Sequence, residues 1–456
     1  MSTTQPGLPG LDDVLEVVAE LATAFAAAGH RLYLVGGVVR DLRLQQFTAL
    51  DDIDLTTDAR PHRIKALVGP LATDVWSQGE RFGTIGALVK GRAVEITTHR
   101  AEAYDPMSRK PIVSFGYSIE EDLSRRDFTI NAMAISLPDH SLLDPFGGSA
   151  DLAAQVLRTP LSPAESFGDD PLRMLRAARF LPRFNLSAAP GLEAAAAELA
   201  PRLQIVSVER VRDELERLLA VPDPSRGFAF LDRTGLLGYA IGALADRPEA
   251  RAEACRLASA PGGLLVRRAG LFRPVEAEAS ASLRALRYSS SDIDETLRLL
   301  RVVPQAVSSD PSDESVRRVV DQLGLDRLAE LERLALNVVS ADASLSPDGA
   351  ALAFFGRYRR LAASEDLGRL GAPLSGGQVM AHLGLKPGPP VGRMLDRLRQ
   401  YRLAHGALSE ADAYRLIEQW QFESRPGAGL GQDPDLGPTG TGRPTVANLD
   451  NCEPGS

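Results

Sequence analysis

The 456-residue chain is poor in cysteine; Cys255 and Cys452 are its two. Two cysteines so far apart exclude a disulfide framework and a cysteine-rich zinc site. A reducing cytoplasm is the expected setting. Histidine is sparse as well: the six are scattered, with no close His/Asp cluster, so no histidine-based metal site is expected. Lysine is nearly missing. Lys65, Lys90, Lys110 and Lys386 are the four present, and arginine supplies almost all the positive charge. No stretch of about 18 apolar residues occurs, so no membrane-spanning helix is expected. Residues 1–10 show neither a basic start nor an apolar signal core. The net charge of −9 argues against a surface coated in nonspecific nucleic-acid contacts. It leaves room for a local basic groove, because the field that matters is the field at the site.

What is present is length and pattern. A chain of this size holds roughly two to four domains and buries a large core. Residues 11–28 carry apolar residues at helical spacing and end at Gly29, a good C-cap. Arg31-Leu32-Tyr33-Leu34-Val35 reads as a buried strand. Gly36-Gly37 ends it, and a helix can open at Val38. Glycines there let backbone N–H groups approach an anion, and a helix N-terminus favours negative charge. Arg40 adds a donor fork for phosphate, with Asp41 beside it. The plainer reading is an ordinary turn.

Asp52-Ile53-Asp54 follows. On a strand the two carboxylates share one face. They repel unless a cation joins them, and hard oxygen ligands suit Mg²⁺. The alternative is a solvated acidic turn that includes Asp51. Glu95, in the strand-like Ala93-Val94-Glu95-Ile96-Thr97, either completes that site or is an exposed strand glutamate. A strand pair is expected at 84–90 and 92–98, joined at Gly91, after a helix at about 61–67. Residues 100–124 have few periodic apolar positions and read as a long mobile loop. Residues 130–137 and 142–144 close the mixed α/β part. From Asp151 onward the pattern is almost wholly helical, broken near Pro182, Pro190, Pro222, Pro224, Pro304, Pro311 and Pro373. The segment from about Glu423 is rich in Gly, Pro, Thr and Asp and is expected to be disordered.

Within the helical part, Asp169-Asp170-Pro171-Leu172-Arg173 starts a helix, with an aspartate cap and proline in the first turn. Arg173, Arg176 and Arg179 share a broad face. They form a solvated basic face, an ion-pair network, or forks that hold a nucleotide. Cytosine and adenine both present an amino donor beside a ring-nitrogen acceptor; guanine and uracil reverse the order. Asp170 and Arg173 supply one acceptor and one donor from a single turn, which fits C and A. Hydrogen-bonded sites discriminate strongly, because the wrong base leaves buried groups unpaired.

The ordered set Leu34-Val35-Gly36-Gly37 with Arg40-Asp41, Asp52-Ile53-Asp54-Leu55-Thr56, Arg81-Phe82-Gly83-Thr84, Glu95-Ile96-Thr97-Thr98, Arg125-Arg126-Asp127-Phe128-Thr129-Ile130-Asn131-Ala132, Asp144-Pro145-Phe146-Gly147-Gly148, the 169–180 helix and Glu209-Arg210-Val211-Arg212-Asp213-Glu214 resembles class II CCA-adding tRNA nucleotidyltransferases of the poly(A) polymerase-like superfamily. Leu383-Gly384-Leu385-Lys386-Pro387-Gly388-Pro389 resembles their tail more weakly. The resemblance implies an α+β head with a mixed sheet (1–150), then all-α neck (151–220), body (221–345) and tRNA-binding tail (346–422), with 423–456 disordered. It implies template-independent addition of CCA to tRNA from CTP and ATP, with Asp52 and Asp54 as catalytic ligands of Mg²⁺. Gly36, Gly37 and Arg40 then contact nucleotide phosphates, with Asp41 in the same motif. Arg126, Asp127 and Asn131 match the ribose and phosphate motif. Asp170, Arg173, Arg176 and Arg179 match the base template, with Asp169 where many relatives carry glutamate. Poly(A) polymerases tend to carry a basic cluster near Gln78-Gly79-Glu80-Arg81, which is not basic here. CC-restricted enzymes lack much of the 100–124 loop. Here it is present with Arg100, Tyr104, Arg109 and Lys110, which favours A addition. An enzyme adding only the terminal A shares the same motifs. An idle RNA-binding relative is disfavoured by the intact carboxylate pair. No His/Asp phosphohydrolase motif occurs, so no accessory hydrolase is expected.

Overall fold

The computed structural model describes residues 8–48, 52–103, 112–116, 118–137, 139–308, 310–341 and 350–423. Helix α1 (Leu11–Ala27) leads to β1 (Leu32–Val35), α2 (Gly37–Arg43), β2 (Ile53–Thr57), α3 (Pro61–Val68), β3 (Asp74–Trp76), β4 (Thr84–Val89) and β5 (Arg92–Thr98). A separate antiparallel pair, β6 (Arg100–Ala103) and β7 (Ile112–Phe115), precedes α4 (Ile119–Ser124), β8 (Ala134–Ser136) and β9 (Leu142–Leu143). Seven strands form one mixed sheet in the order β3-β4-β5-β2-β1-β8-β9. β2 and β5 run parallel, and the other neighbours are antiparallel.

Alternation of residue type sorts the two faces. Leu34, Ile53, Leu55, Ile85, Ala87, Val94 and Ile96 point to one side, where they pack with Val14, Val18, Leu21 and Phe25 of α1 and Ile64 and Val68 of α3. The intervening residues, among them Asp54, Thr56, Glu95 and Thr97, lie on the other face. Toward the β8 end that face is covered by a smaller cluster that joins Tyr33 and Val35 to Ile119 and Leu123 of α4. The carboxylates therefore stand on the part of that face that neither cluster covers.

The segment 100–124 departs from the expected loop. Its ends form β6, β7 and α4. Ser118 caps α4 by accepting from the Glu120 N–H. Pairing between β6 and β7 is a nonlocal interaction that no periodicity along 100–103 announces. Residues 104–111 lie outside the described residues, and with them Tyr104, Arg109 and Lys110.

After α5 (Gly148–Ala154) and β10 (Val156–Leu157) come α6 (Pro163–Asp169), α7 (Leu172–Arg183), β11 (Ser187–Ala188), α8 (Leu192–Leu199), α9 (Val208–Leu219) and α10 (Ser225–Arg233). The short parallel pair β10–β11 interrupts the expected run of helices. Ser162 and Glu165 form a reciprocal capping box on α6, satisfying N–H groups that a helix start leaves open. Pro182 does not break α7 but sits in its last turn. A proline there withholds the N–H that the Ala178 carbonyl would take. Gly227 of α10 packs against that carbonyl; a Cβ on Gly227 would stand 2.3 Å from it. Pro304 likewise lies within a helix, Ser290–Ala306. The Arg267 guanidinium closes the end of α9 by donating to the carbonyls of Leu219 (2.7 Å), Val221 (2.5 Å) and Pro222 (2.6 Å).

The chain divides into two compact units, Met1–Gly368 and Arg369–Ser456. The second has its own core of Leu374, Val379, Val391, Leu398, Ala413, Ile417 and Trp420, drawn from the helices Gly376–Leu383, Pro389–His405 and Glu410–Glu423. The segment 424–456, expected to be disordered, lies outside the described residues. Among those described, no helix is long and apolar enough to cross a membrane. The close crossing of α7 and α10 predicts that Gly227→Ala, measured by urea unfolding, lowers stability by about 1–3 kcal/mol, the usual cost of overpacking.

Candidate active site

Strand pairing assembles the acidic centre. Asp54 of β2 and Glu95 of β5 are partners in the parallel register and share the uncovered face. Asp52, exposed, enters β2 two residues earlier and adds its charge nearby. Burial raises the Asp54 carboxyl to about 6. Arg126 opposes that rise, while Glu95 and Asp52 add to it. Asp54 accepts no hydrogen bond from a described residue. A largely buried carboxylate, unsatisfied and repelled by two others, fits a divalent cation. Among the described residues, no three His, Cys, Asp or Glu side chains gather closely enough to ligate one ion. Asp52 and Asp54 would thus leave coordination positions to water and phosphate oxygens, the habit of Mg²⁺.

The turn beside this pair is built for close approach. Gly36 has φ +72°, and a Cβ there would stand 2.8 Å from Arg126 Nη1 and 3.6 Å from Asp54 Oδ2. A side chain at 36 would be strained at this φ and would push the Arg126 guanidinium aside. Arg126 is held from behind by Asp122, which is wholly buried. Arg125 reaches one Asp122 oxygen at 2.7 Å and Arg126 the other at 3.0 Å. Burial would raise the Asp122 carboxyl, but Arg126 and Arg125 hold it far below the ordinary carboxylate range. Asp122 was not among the expected residues. Its signal was in the sequence: an acid three and four positions before Arg125 and Arg126 at the end of a short helix.

A second cluster joins the head to α7. Arg40 is buried. Its Nε and Nη2 donate to the two Asp41 oxygens, both at 2.8 Å, and its Nη1 donates to Asn131 Oδ1 at 2.7 Å. Asn131 Nδ2 donates to Asp127 Oδ1 at 2.9 Å, and the Phe128 N–H donates to the same oxygen. Arg176 of α7 pairs with Asp127 Oδ2 at 2.7 Å. Burial would raise the Asp127 carboxyl, but Arg176 and Asn131 keep it below its ordinary value. The Arg40 guanidinium also lies 4.4 Å from the Phe184 ring centroid, a cation–π contact.

Farther along α7, Arg179 Nε donates to the buried Glu214 of α9 at 2.7 Å. Arg173 Nη1 donates to Ser166 Oγ at 2.9 Å, and Nη2 to the Arg125 carbonyl. Asp170 accepts from the Leu172 N–H at 3.1 Å and pairs with Arg210 at 2.9 Å. Asp169 ends α6, half-buried. The expected residues therefore gather into an acidic centre beside the Gly36 turn and a guanidinium-rich joint along α7. Sequence reasoning passed over Phe184, and it quoted Arg210 and Glu214 only as part of a motif, without their partners Asp170 and Arg179, which are distant in sequence.

A mixed sheet with acid pairs on its open face, a glycine turn and a following basic helix define a nucleotidyltransferase of the poly(A) polymerase type. Residues 32–158 match the family described as the poly A polymerase head domain. Residues 185–246 match the family described as a probable RNA and SrmB-binding site of polymerase A. A CCA-adding enzyme of Geobacillus stearothermophilus is 37% identical over 235 residues, 51% of this chain and 55% of its own. In that comparison the chain spans about half the length of its relative. A CCA-adding enzyme of Lacticaseibacillus paracasei is 31% identical over 418 residues, 90% of this chain and 95% of its own. The crystal structure of the Bacillus stearothermophilus CCA-adding enzyme with CTP superposes with a TM-score of 0.69 at 28% identity, covering 91% of this chain and 98% of that one. The chain belongs to the CCA-adding enzyme family. Enzymes of this family generally use a divalent metal.

Two carboxylates flanking Arg126 respond to pH with opposite sign. The folded-state value of Asp54 is raised, so its stabilising contribution is complete below 3.8 and lost as pH rises through about 6. In metal-free protein, Asp54→Asn is expected to raise stability at pH 7 by roughly 2–3 kcal/mol, a gain that vanishes toward pH 4. Asp122 is depressed, so its contribution exists above 3.8 and is lost as pH falls. Asp122→Asn is expected to cost about 3–5 kcal/mol at pH 7 and less in acid. Thermal unfolding followed from about pH 2 to pH 8 checks both.

Proposed function

We propose that this chain adds the 3′-terminal CCA of tRNA from CTP and ATP, releasing pyrophosphate. The observation that carries this reading is the strand register that sets Asp54 beside Glu95, next to the Gly36 turn, in a chain alike over most of its length to a CCA-adding enzyme. The 3′-hydroxyl of the tRNA attacks the α-phosphate of the nucleotide. Asp52 and Asp54 would hold Mg²⁺, which lowers the pKa of the hydroxyl and offsets charge on the phosphates when bound. Glu95, exposed beside Asp54, orients the attacking hydroxyl or would help hold the metal. Backbone N–H groups of the Gly36-Gly37 turn and the Arg126 guanidinium meet the phosphates. Arg40 and Asp41 act one step behind, bracing the turn and Asn131.

Base choice falls to α7. Asp170 offers an acceptor and Arg173 a donor to cytosine or adenine, exchanging their present partners Arg210, Ser166 and the Arg125 carbonyl. Arg176 and Arg179 hold the helix through Asp127 and Glu214. In this reading residues 1–150 form the head, 151–220 the neck, 221–345 the body and 346–422 the tail, the last two gripping tRNA by shape and backbone. Cytoplasmic tRNA is the substrate pool.

The test is incorporation of labelled CTP or ATP with Mg²⁺ into tRNA lacking its 3′ end and into tRNA ending in CC. Two C, then one A, then arrest is the expected result. A alone, on the CC substrate alone, would reassign the chain to A addition. C without A would mark CC addition, and long A tracts a poly(A) polymerase. Asp54→Ala is expected to reduce turnover on the order of 10²–10³-fold, the effect of removing one charge-stabilising group, while tRNA binding measured by filter retention persists.

A further inference from the structure

The uncovered face of the sheet carries one large aromatic that the mechanism has not used. The printed registers align Trp76 of β3 with Gly86 of β4, Gly86 with Glu95 of β5, and Glu95 with Asp54 of β2. These four residues form one row across the sheet, on the face away from the core. Trp76 leans along that row. A Cβ on Gly86 would stand 2.0 Å from the indole Nε1, 2.1 Å from Cε2 and 2.6 Å from Cζ2. The ring therefore occupies the place of the Gly86 side chain. Any other residue at 86 would expel it.

The apolar core of the head does not account for this arrangement. The indole is half-buried and belongs to neither apolar cluster of the head. Its Nε1–H meets no described partner. With strands about 4.8 Å apart, the Trp76 backbone lies roughly 14 Å from that of Asp54, and the ring, laid over β4, about 10 Å. A flat ring at that remove, level with the carboxylates, suits a nucleobase.

Two bases must flank the carboxylates during nucleotidyl transfer. One belongs to the incoming nucleotide, the other to the ribose that carries the attacking hydroxyl. α7 joins the head through Asn131 and Asp127, just before β8, and through Arg40, just after β1. Trp76 lies on β3, at the opposite edge of the sheet, with Asp54 and Glu95 between. α7 claims the incoming base, which leaves the β3 side to the acceptor. We propose that the Trp76 indole, seated over Gly86, is the stacking platform for the base of the 3′-terminal nucleotide of the acceptor RNA, an inference that rests on the transfer reading above. Stacking of this kind tolerates any base, as an acceptor site must when the terminal residue changes with each addition.

Steady-state kinetics on tRNA lacking its 3′ end test the platform. Trp76→Ala is expected to raise KM for the acceptor roughly tenfold or more, with KM for CTP changed less than about twofold, and Trp76→Phe to recover most of the loss. A second measurement needs no change at 76. Trp76 and Trp420 are the two tryptophans, so in a Trp420→Phe protein without divalent metal Trp76 alone reports. Saturable quenching of its emission by the acceptor is expected. An unaltered acceptor KM in Trp76→Ala, a Trp76→Phe protein as impaired as Trp76→Ala, or unquenched emission would overturn the platform. Wild-type protein that transfers no nucleotide would instead sink the transfer reading itself.

Discussion

The burial of Asp127 is the constraint on which the rest of the site depends. A carboxylate in that position is costly unless its oxygens are satisfied. One oxygen accepts from the Asn131 amide and the Phe128 N–H, and the other takes no hydrogen bond but is offset by the Arg176 charge 2.7 Å away. Each partner then has its own requirement. Asn131 faces Arg40, and Arg40 is clamped by Asp41 and rests on Phe184. The chain of partners closes a path from the helix after the glycine turn to α7, which carries Arg173 and is preceded by Asp170. Half of a buried ion pair is far worse than none, so these elements hold together or separate together. The acidic centre on the sheet and the start of α7 are thereby tied together, as the proposed transfer without a nucleic-acid template demands.

Arg126 divides its charge between two carboxylates of opposite character. Asp122 is saturated, with two guanidinium groups on its two oxygens. Asp54 is starved, with burial and two neighbouring acids against it. One arginine serves both because Gly36 leaves room for its Nη1 beside the turn. The same group thus has a fixed end and a free end. Asp122 holds the fixed end, and the free end stands where phosphate and metal charge would arrive.

Much of this could be read along the chain. The strand, glycine turn and helix of residues 31–43 and the alternation around Asp54 and Glu95 follow from local pattern, and the sheet places them as the pattern demands. What the chain did not reveal was pairing at a distance. The three-residue spacing of Arg173, Arg176 and Arg179 was visible, but not the acids that Arg176 and Arg179 would meet, because Asp127 and Glu214 come from other elements. The β6–β7 pair escaped for the same reason: its strands are defined by each other rather than by alternation. Trp76 escaped because its meaning lies in the absence of a side chain at Gly86, a neighbour only in the folded sheet.

In the proposed reading, base choice at the start of α7 is a competition between partners. In the structure Asp170 is engaged by Arg210, and Arg173 by Ser166 and the Arg125 carbonyl. An incoming base must displace those partners, so its hydrogen bonds count only by their excess over the ones lost. Cytosine and adenine return a donor to Asp170 and an acceptor to Arg173, and the exchange is nearly even. Guanine and uracil present like to like, so the old bonds are lost and none replaces them. Discrimination then comes less from attraction to the right base than from the standing claim of the protein on its own groups. It also ties selection to catalysis. Arg173 holds the Arg125 carbonyl, and Arg125 shares Asp122 with Arg126. In that reading the groups that read the base and the group that meets the phosphates belong to one connected set of contacts.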